Sequence, residues 1–430
     1  HIARGYEGLT NPKGVSDFGS NDDTTEVYDR DNNFYYIPGT AFKVPEWRDG
    51  YLPLGGENHS SADAKFTEVP AKWTGNGSRL SKPNMNDWYE TVKINYGITP
   101  EGKKDFDDLP YGFENEDCKA HYEFWSDKQV PNSWLKFRDI ALYWTDMGVD
   151  GFRYDMAEMV PVEFWSFLNS SVKMKNPNAF ILAEVYQPHL YRDYIKKGKM
   201  DYLYDKVQLY DTIKHVMQGS GKTDNIPPIQ DYLEDIEHNM AHFLENHDEQ
   251  RIAIPDFAGN ALKGKPAIVV SATISTSPTL VYFGQEVGEP GSEDAGFGKP
   301  TRTSIFDYVG VPHHQRWLNN KKFDGGQLSV EEKELRDFYK RLLNFTINSS
   351  ALMGDYQDIH LYNRQHTEWY NDKVLSFARW SDTEKLIVIS NFNEANTYAF
   401  NLKIPEDVIK AWELDQGTYK ASDVLYNEFS

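Results

Sequence analysis

Three short apolar runs in this chain each end on a carboxylate, and stretches with helical spacing separate them. Gly148-Val149-Asp150-Gly151-Phe152-Arg153-Tyr154-Asp155 delivers an arginine and, two residues on, an aspartate. Ala179-Phe180-Ile181-Leu182-Ala183-Glu184 stops at a glutamate, and the run from Met240 through Phe243 ends in Leu244-Glu245-Asn246-His247-Asp248. Alternating strands and helices are the pattern of a parallel sheet. If such a sheet closes into a barrel, its strand ends meet on one face, where the βα loops build a site. Alternation at period two puts Arg153 and Asp155 on the same side of their strand, where the cation favours the ionised carboxylate that a nucleophile needs. A structural ion pair at a strand end leaves the same local trace. Acids at three successive ends are what argue for a site.

These stretches resemble the conserved regions of the α-amylase superfamily, glycoside hydrolase family 13. Gly151-Phe152-Arg153-Tyr154-Asp155 is similar to the family's nucleophile strand, Leu182-Ala183-Glu184 to its acid/base strand, and Glu245-Asn246-His247-Asp248 to the strand carrying its third carboxylate. The resemblance implies a (β/α)8 barrel with Asp155 as nucleophile, Glu184 as general acid/base and Asp248 as the acid that stabilises the transition state. Arg153 and His247 would be their substrate-side partners, with Tyr186 just beyond Glu184. The chemistry asks for the same residue types. A glycosidic bond needs a proton on its leaving oxygen and negative charge against the anomeric carbon, so two carboxyls must hold different protonation states. Glu184 has no neighbouring cation in sequence and follows an apolar run, so burial is expected to raise its pKa toward that of a general acid.

Composition narrows the partners. Lys and Arg number 45 against 66 Asp and Glu, a net charge of -21, which disfavours nucleic acid and anionic membrane surfaces and leaves a neutral polymer such as an α-glucan unaffected. Aromatic residues make up 14% of the chain, and rings suit stacking on sugars. The single cysteine, Cys118, excludes an intramolecular disulfide and a cysteine metal cluster, and reads as a buried, inert thiol. No run reaches the length of a membrane span.

Along the chain, residues 1–127 lack a sustained helical period and are rich in Gly, Pro, Asn and Asp, as in a loop-rich lobe inserted after a third barrel strand. Phe34, Tyr35, Tyr36, Trp47, Trp73, Trp88, Tyr89 and Tyr96 are its candidate sugar platforms. Asp22, Asp23, Asp29 and Asp31 are either a solvated acidic turn or oxygen ligands of a structural Ca²⁺, which relatives bind in this lobe; the chemistry itself requires no cofactor. Residues 128–350 read as barrel strands four to eight, with helices over 132–148, 162–172, 265–275 and 331–348, a C-terminal stop at Gly148, and Asn132 or Ser133 as the N-cap of the first. Thr279 to Glu286 is the expected eighth strand. Residues 351–430 read as a C-terminal antiparallel β-sandwich with strands at 374–380, 386–392 and 397–404.

His1 is similar to the histidine that ends the family's third strand, which would place the first strands upstream; a stray terminal histidine is the other reading. The function expected is retaining hydrolysis of α-1,4 bonds in maltooligosaccharides or related α-glucans. Transglycosylation at the same site and a binding relative silenced by truncation are the alternatives. Met156-Ala157-Glu158 stands where typical α-amylases carry a Lys-His pair, which leans toward shorter or cyclic maltodextrins. By analogy with relatives, a periplasmic or extracellular bacterial setting would fit.

Overall fold

The computed structural model describes residues 2–5, 14–45, 68–294 and 309–426, so His1 and Trp47 lie outside the described residues. The chain divides into two compact units. One holds the chain up to Val185 together with His189–Asp201; the other holds Tyr186–Pro188 and the chain from Tyr202 onward.

The first unit begins with four short strands, β1 (Ile2–Ala3), β2 (Tyr36–Ile37), β3 (Ala71–Lys72) and β4 (Thr91–Val92). They pair antiparallel, β1 with β4 and β2 with β3. Little else among the described residues of this lobe is regular, and side chains do the work of a ladder. The Asp22 carboxylate accepts from the Asn33 and Phe34 amides and the Tyr36 hydroxyl, and Asn95 Nδ2 donates to the carbonyls of Asp29 and Asn32. Phe18, Phe34, Tyr36, Val92 and Ile94 form a core cluster here. This corrects the reading of the aromatics as platforms: Phe34, Tyr35, Tyr36, Trp73 and Tyr89 are buried, because a lobe this small must spend its rings on its own core. Trp88 is exposed.

A second correction concerns α1 (Cys118–Ser126), a helix inside the stretch read as loop and capped by Asp117, whose side chain accepts from the Ala120 amide. Cys118 is unpaired and partly buried, and burial pushes its thiol up.

Helix α2 (Asn132–Asp146) begins one residue after Pro131, which is its N-cap. Neither Asn132 nor Ser133 caps it. Asn132 Oδ1 accepts from Asn33 Nδ2 and the Ser133 hydroxyl donates to the Asn95 carbonyl, so both side chains tie the helix to the lobe. Lys136 does the same, its buried ammonium donating to the carbonyls of Ser16 and Asp17. The helix ends as expected at Gly148, whose φ of 91° is the left-handed geometry a helix stop needs.

Strand β5 (Gly151–Tyr154) pairs parallel with β6 (Phe180–Ala183), Arg153 opposite Leu182 and Tyr154 opposite Ala183. Gly151 is required there, since a Cβ would meet the Phe180 carbonyl oxygen at 2.1 Å. Between the strands runs α3 (Val162–Lys175), buried along Glu163–Val172 and packed through Phe164 and Phe167 on Trp134 of α2, at ring distances of 5.6 and 5.7 Å. Helix α4 (Tyr191–Lys196) completes this unit.

In the second unit β7 (Tyr202–Tyr204), α5 (Asp211–Met217), α6 (Pro227–Leu233), β8 (Met240–Phe243), α7 (Lys265–Thr273) and β9 (Thr279–Leu280) follow in order. β7 pairs parallel with β8 and β8 with β9. The expected eighth strand is cut short: Gln285 bonds its side-chain oxygen to the Tyr282 amide, and the chain turns at Gln285–Val287 rather than extending to Glu286. β10 (Glu293–Asp294) and β11 (Val309–Gly310) pair antiparallel and α8 (Pro312–Leu318) follows. Helix α9 (Val330–Asn348) opens on a capping box of Ser329 and Glu332.

The C-terminal region is an antiparallel sheet of β12 (Asp355–Asp358), β13 (Val374–Trp380) and β14 (Lys385–Asn391), accompanied by helices α10 (His360–His366) and α11 (Glu406–Ala411). The expected strand at 397–404 is corrected, and among the described residues the second sheet of a sandwich does not form there. Asn363 of α10 takes both the N–H and the carbonyl of Lys403, so this backbone is satisfied by a side chain instead of a ladder. Val408 and Trp412 cover Ala378 of β13, with Leu402 and Ile404 beside them.

Candidate active site

The β5–β6 register brings Asp155 and Glu184 opposite each other, each one residue past its strand, and the ladder continues through the Glu184 amide to the Tyr154 carbonyl at 3.0 Å. Arg153 reaches both acids. Its Nη1 donates to Asp155 Oδ1 at 2.6 Å and its Nη2 lies 3.5 Å from Glu184 Oε2. Arg153 and Asp155 thus share one side of their strand, as period two predicts. Glu184 has no cation beside it in sequence, but parallel pairing brings Arg153 to it from the neighbouring strand. The Glu184 side chain is 13% exposed and that of Asp155 59%, so the two acids differ in access to water. Phe152 and Tyr154 point the other way: Tyr154 stacks on Trp165 at 4.4 Å and donates its hydroxyl to Asn169 Oδ1.

Met156, directly after Asp155, has a φ of 46°, a left-handed conformation outside glycine's usual monopoly. That bend turns its amide onto Glu184 Oε2, at 2.8 Å. The turn that follows is held from behind: Trp165 Nε1 donates to the Ala157 carbonyl, and the Tyr194 hydroxyl lies within bonding distance of the carbonyls of Glu158 and Val160. Strain at Met156 gives a stability prediction. Met156→Gly is expected to raise the free energy of unfolding by roughly 0.5–1 kcal/mol, the left-handed penalty less glycine's extra chain entropy. The midpoint of urea unfolding measures it, and a lowered midpoint would show that the Met side chain contributes more than its backbone costs.

In the second unit β8 leads into a tight loop. Asn246 Oδ1 accepts from the amides of Asp248 and Glu249, and His247 Nε2 lies 3.0 Å from Asp248 Oδ2. Tyr186 is half-buried two residues past Glu184.

The four aspartates of the lobe do not fit a Ca²⁺ site. The carboxylate of Asp22 turns to the amides of Asn33 and Phe34, that of Asp23 to Thr25, that of Asp29 to the Asp31 amide and that of Asp31 to Arg30. Among the described residues no group of three or more His, Cys, Asp and Glu side chains converges as metal ligands do.

The family model of the α-amylase catalytic domain matches residues 58–414, most of the chain. The chain belongs to the α-amylase family. Among curated relatives, α-amylase 3 of Dictyoglomus thermophilum is 26% identical over 310 residues, covering 66% of this chain and 59% of that protein. Neopullulanase 2 of Thermoactinomyces vulgaris is 24% identical over 288 residues, covering 64% and 42%. The chain thus spans about half the length of these relatives. The crystal structure of an Anoxybacillus α-amylase is 18% identical, with a TM-score of 0.49 over 69% of this chain and 57% of that one. No helix among the described residues of this α-amylase family member is long and apolar enough to cross a membrane.

Sequence reasoning missed the supports. Met156, Trp165 and Tyr194 act through backbone groups around the turn, which no side-chain pattern announces.

Proposed function

We propose that this chain is a retaining glycoside hydrolase acting on α-1,4-glucosidic bonds of maltooligosaccharides or related α-glucans. The observation that carries the reading is Asp155 and Glu184 at facing ends of paired parallel strands, joined by one guanidinium. Asp155 attacks the anomeric carbon while Glu184 gives its proton to the departing glycosidic oxygen. Glu184, now a carboxylate, then takes a proton from the water that releases the sugar from Asp155. Arg153 holds Oδ1 of Asp155 and so fixes its direction of attack. Asp248, oriented by His247, supplies the third carboxylate of the family pattern. The reading carries with it the (β/α)8 barrel of the family, of which residues 128–350 would supply strands four to eight, with a lobe at 1–127 and a C-terminal domain at 351–430. Transfer to a sugar instead of water uses the same first step.

Glu184→Gln tests the assignment. Hydrolysis of a maltooligosaccharide is expected to fall by ~10²–10⁴-fold, the usual worth of a general acid. A maltosyl fluoride, whose leaving group needs no proton, is expected to lose much less in its first step, and azide is expected to restore turnover by replacing the water that Glu184 no longer activates. Equal losses on both substrates, or no rescue, would remove Glu184 from the acid/base role. Product analysis with added maltose separates hydrolysis from transfer.

A further inference from the structure

We propose that Glu245 and Arg251 are positioning residues, an interior ion pair that closes the loop 246–250 and holds His247 and Asp248 in register for the substrate. The proposal rests on the reading of Asp248 as part of the site. Glu245 is the last residue before the loop and Arg251 the first after it, and both are buried. Arg251 Nη1 donates to Glu245 Oε2 at 2.9 Å, and the Ile252 amide donates to Glu245 Oε1 at 2.7 Å, so a single carboxylate ties the departing chain to the returning one. The guanidinium is itself fixed, stacked over the rings of Tyr282 and Phe283 at 4.4 and 4.6 Å and donating to the Phe283 carbonyl at 2.8 Å.

Between these anchors the chain has little freedom. Asn246 caps the turn through Asp248 and Glu249, Glu249 accepts from the Tyr210 hydroxyl and lies 3.3 Å from Lys206 Nζ, and Gln250 accepts from Lys214. His247 and Asp248 stand at the apex of a loop whose base is pinned by one ion pair. A residue that positions a catalytic group matters through fractions of an ångström, and a displacement of about 1 Å is worth on the order of 10²-fold in rate.

A second buried carboxylate, Glu289, faces the same interior, accepting from the amides of Gly291 and His314, and the phenols of Tyr210 and Tyr339 complete the surroundings. Burial pushes Glu245 up to about 7, with Arg251 opposing and Glu289 adding to the rise. The folded protein therefore holds a proton there more tightly than the unfolded chain. The associated stability is complete below the ordinary glutamate range and is lost as pH rises through 7. Positioning runs the other way, since only the ionised carboxylate engages Arg251 fully. As pH falls through 7, this group is expected to add stability and reduce turnover, whereas an ion pair with a structural role alone changes stability and leaves turnover as it was.

The experiment compares wild type, Glu245→Gln and Arg251→Lys, with Asp248→Asn as the control. Hydrogen exchange of peptides spanning 246–252 is measured together with melting temperature and the pH dependence of kcat/KM on maltopentaose. Glu245→Gln is expected to fold, to exchange at least tenfold faster across the loop while β8 stays protected, and to lose ~10–100-fold in kcat with the ionisation near 7 gone from its profile. Arg251→Lys is expected to show the same change in smaller degree. Unchanged exchange and an unchanged profile in both variants, with Asp248→Asn inactive, would overturn the clasp and leave the proposed function standing. A fully active Asp248→Asn would overturn the function instead, leaving exchange alone to decide whether the clasp exists. Unfolding of both clasp variants would also overturn it, because the pair would then be holding the fold and not the loop.

Discussion

Asp155→Asn is expected to lower kcat on a maltooligosaccharide by at least ~10⁴-fold while leaving the thermal transition in place, because a neutral amide replaces the anionic oxygen that forms the new bond. The substitution is nearly isosteric, and the side chain it alters is 59% exposed with Arg153 as its hydrogen-bond partner at 2.6 Å, so little of the fold depends on its charge. Arg153 keeps a carboxylate neighbour in Glu184, 3.5 Å away, and is not left facing empty space. Steady-state kinetics on purified protein make the comparison. Residual activity within tenfold of wild type would remove Asp155 from the nucleophile's role, and a collapsed transition would show that the pair is structural.

The largest loss of stability is expected at Arg4→Met. The Arg4 side chain is 1% exposed and pairs with Glu68, itself 5% exposed. It also donates to the carbonyls of Tyr89, Lys72 and Thr91 and lies over the Phe42 ring at 4.0 Å. Methionine fills the volume but leaves Glu68 as a buried charge beside Lys72, at 3.1 Å, and takes one donor away from each of the carbonyls of Tyr89, Lys72 and Thr91. Breaking one side of a buried pair costs roughly 3–5 kcal/mol, against under about 1 kcal/mol for an exposed pair such as Arg30 with Asp31. Denaturant unfolding followed by tryptophan fluorescence measures it, with Arg30→Met as the exposed reference. Equal effects of the two substitutions would contradict the argument from burial.

What was legible in the sequence follows from what is local. The acid-ended strands β5, β6 and β8 and the helices α2, α3, α7 and α9 could be read because period two and period 3.6 write themselves into neighbouring residues. Arg153 beside Asp155 was readable for the same reason. Contacts made across the fold were not. Asn132 and Ser133 have capping chemistry but are spent on Asn33 and Asn95, far back in the chain. Residues 397–404 alternate like a strand, yet Asn363 claims their backbone at Lys403. The aromatics of the lobe look like sugar platforms because a ring that stacks on sugar and a ring that fills a core are the same residue. Glu184 seemed free of cations until the register put Arg153 beside it. Glu245 lies within the motif with no role legible in it, since nothing in the run from Glu245 to Arg251 shows that the chain doubles back on itself.

The central claim is that Asp155 becomes covalently bound to sugar. An activated 5-fluoro-α-glucosyl substrate, which forms the glycosyl-enzyme quickly and releases it slowly, is incubated with the 430-residue chain, and the intact mass and the peptides are read by mass spectrometry. The account predicts one added glycosyl group per chain, located on the peptide containing Asp155, absent in Asp155→Asn, and discharged by maltose or water. Sugar attached to Glu184 or to another carboxylate, or turnover of that substrate with inverted product and no adduct, would contradict it.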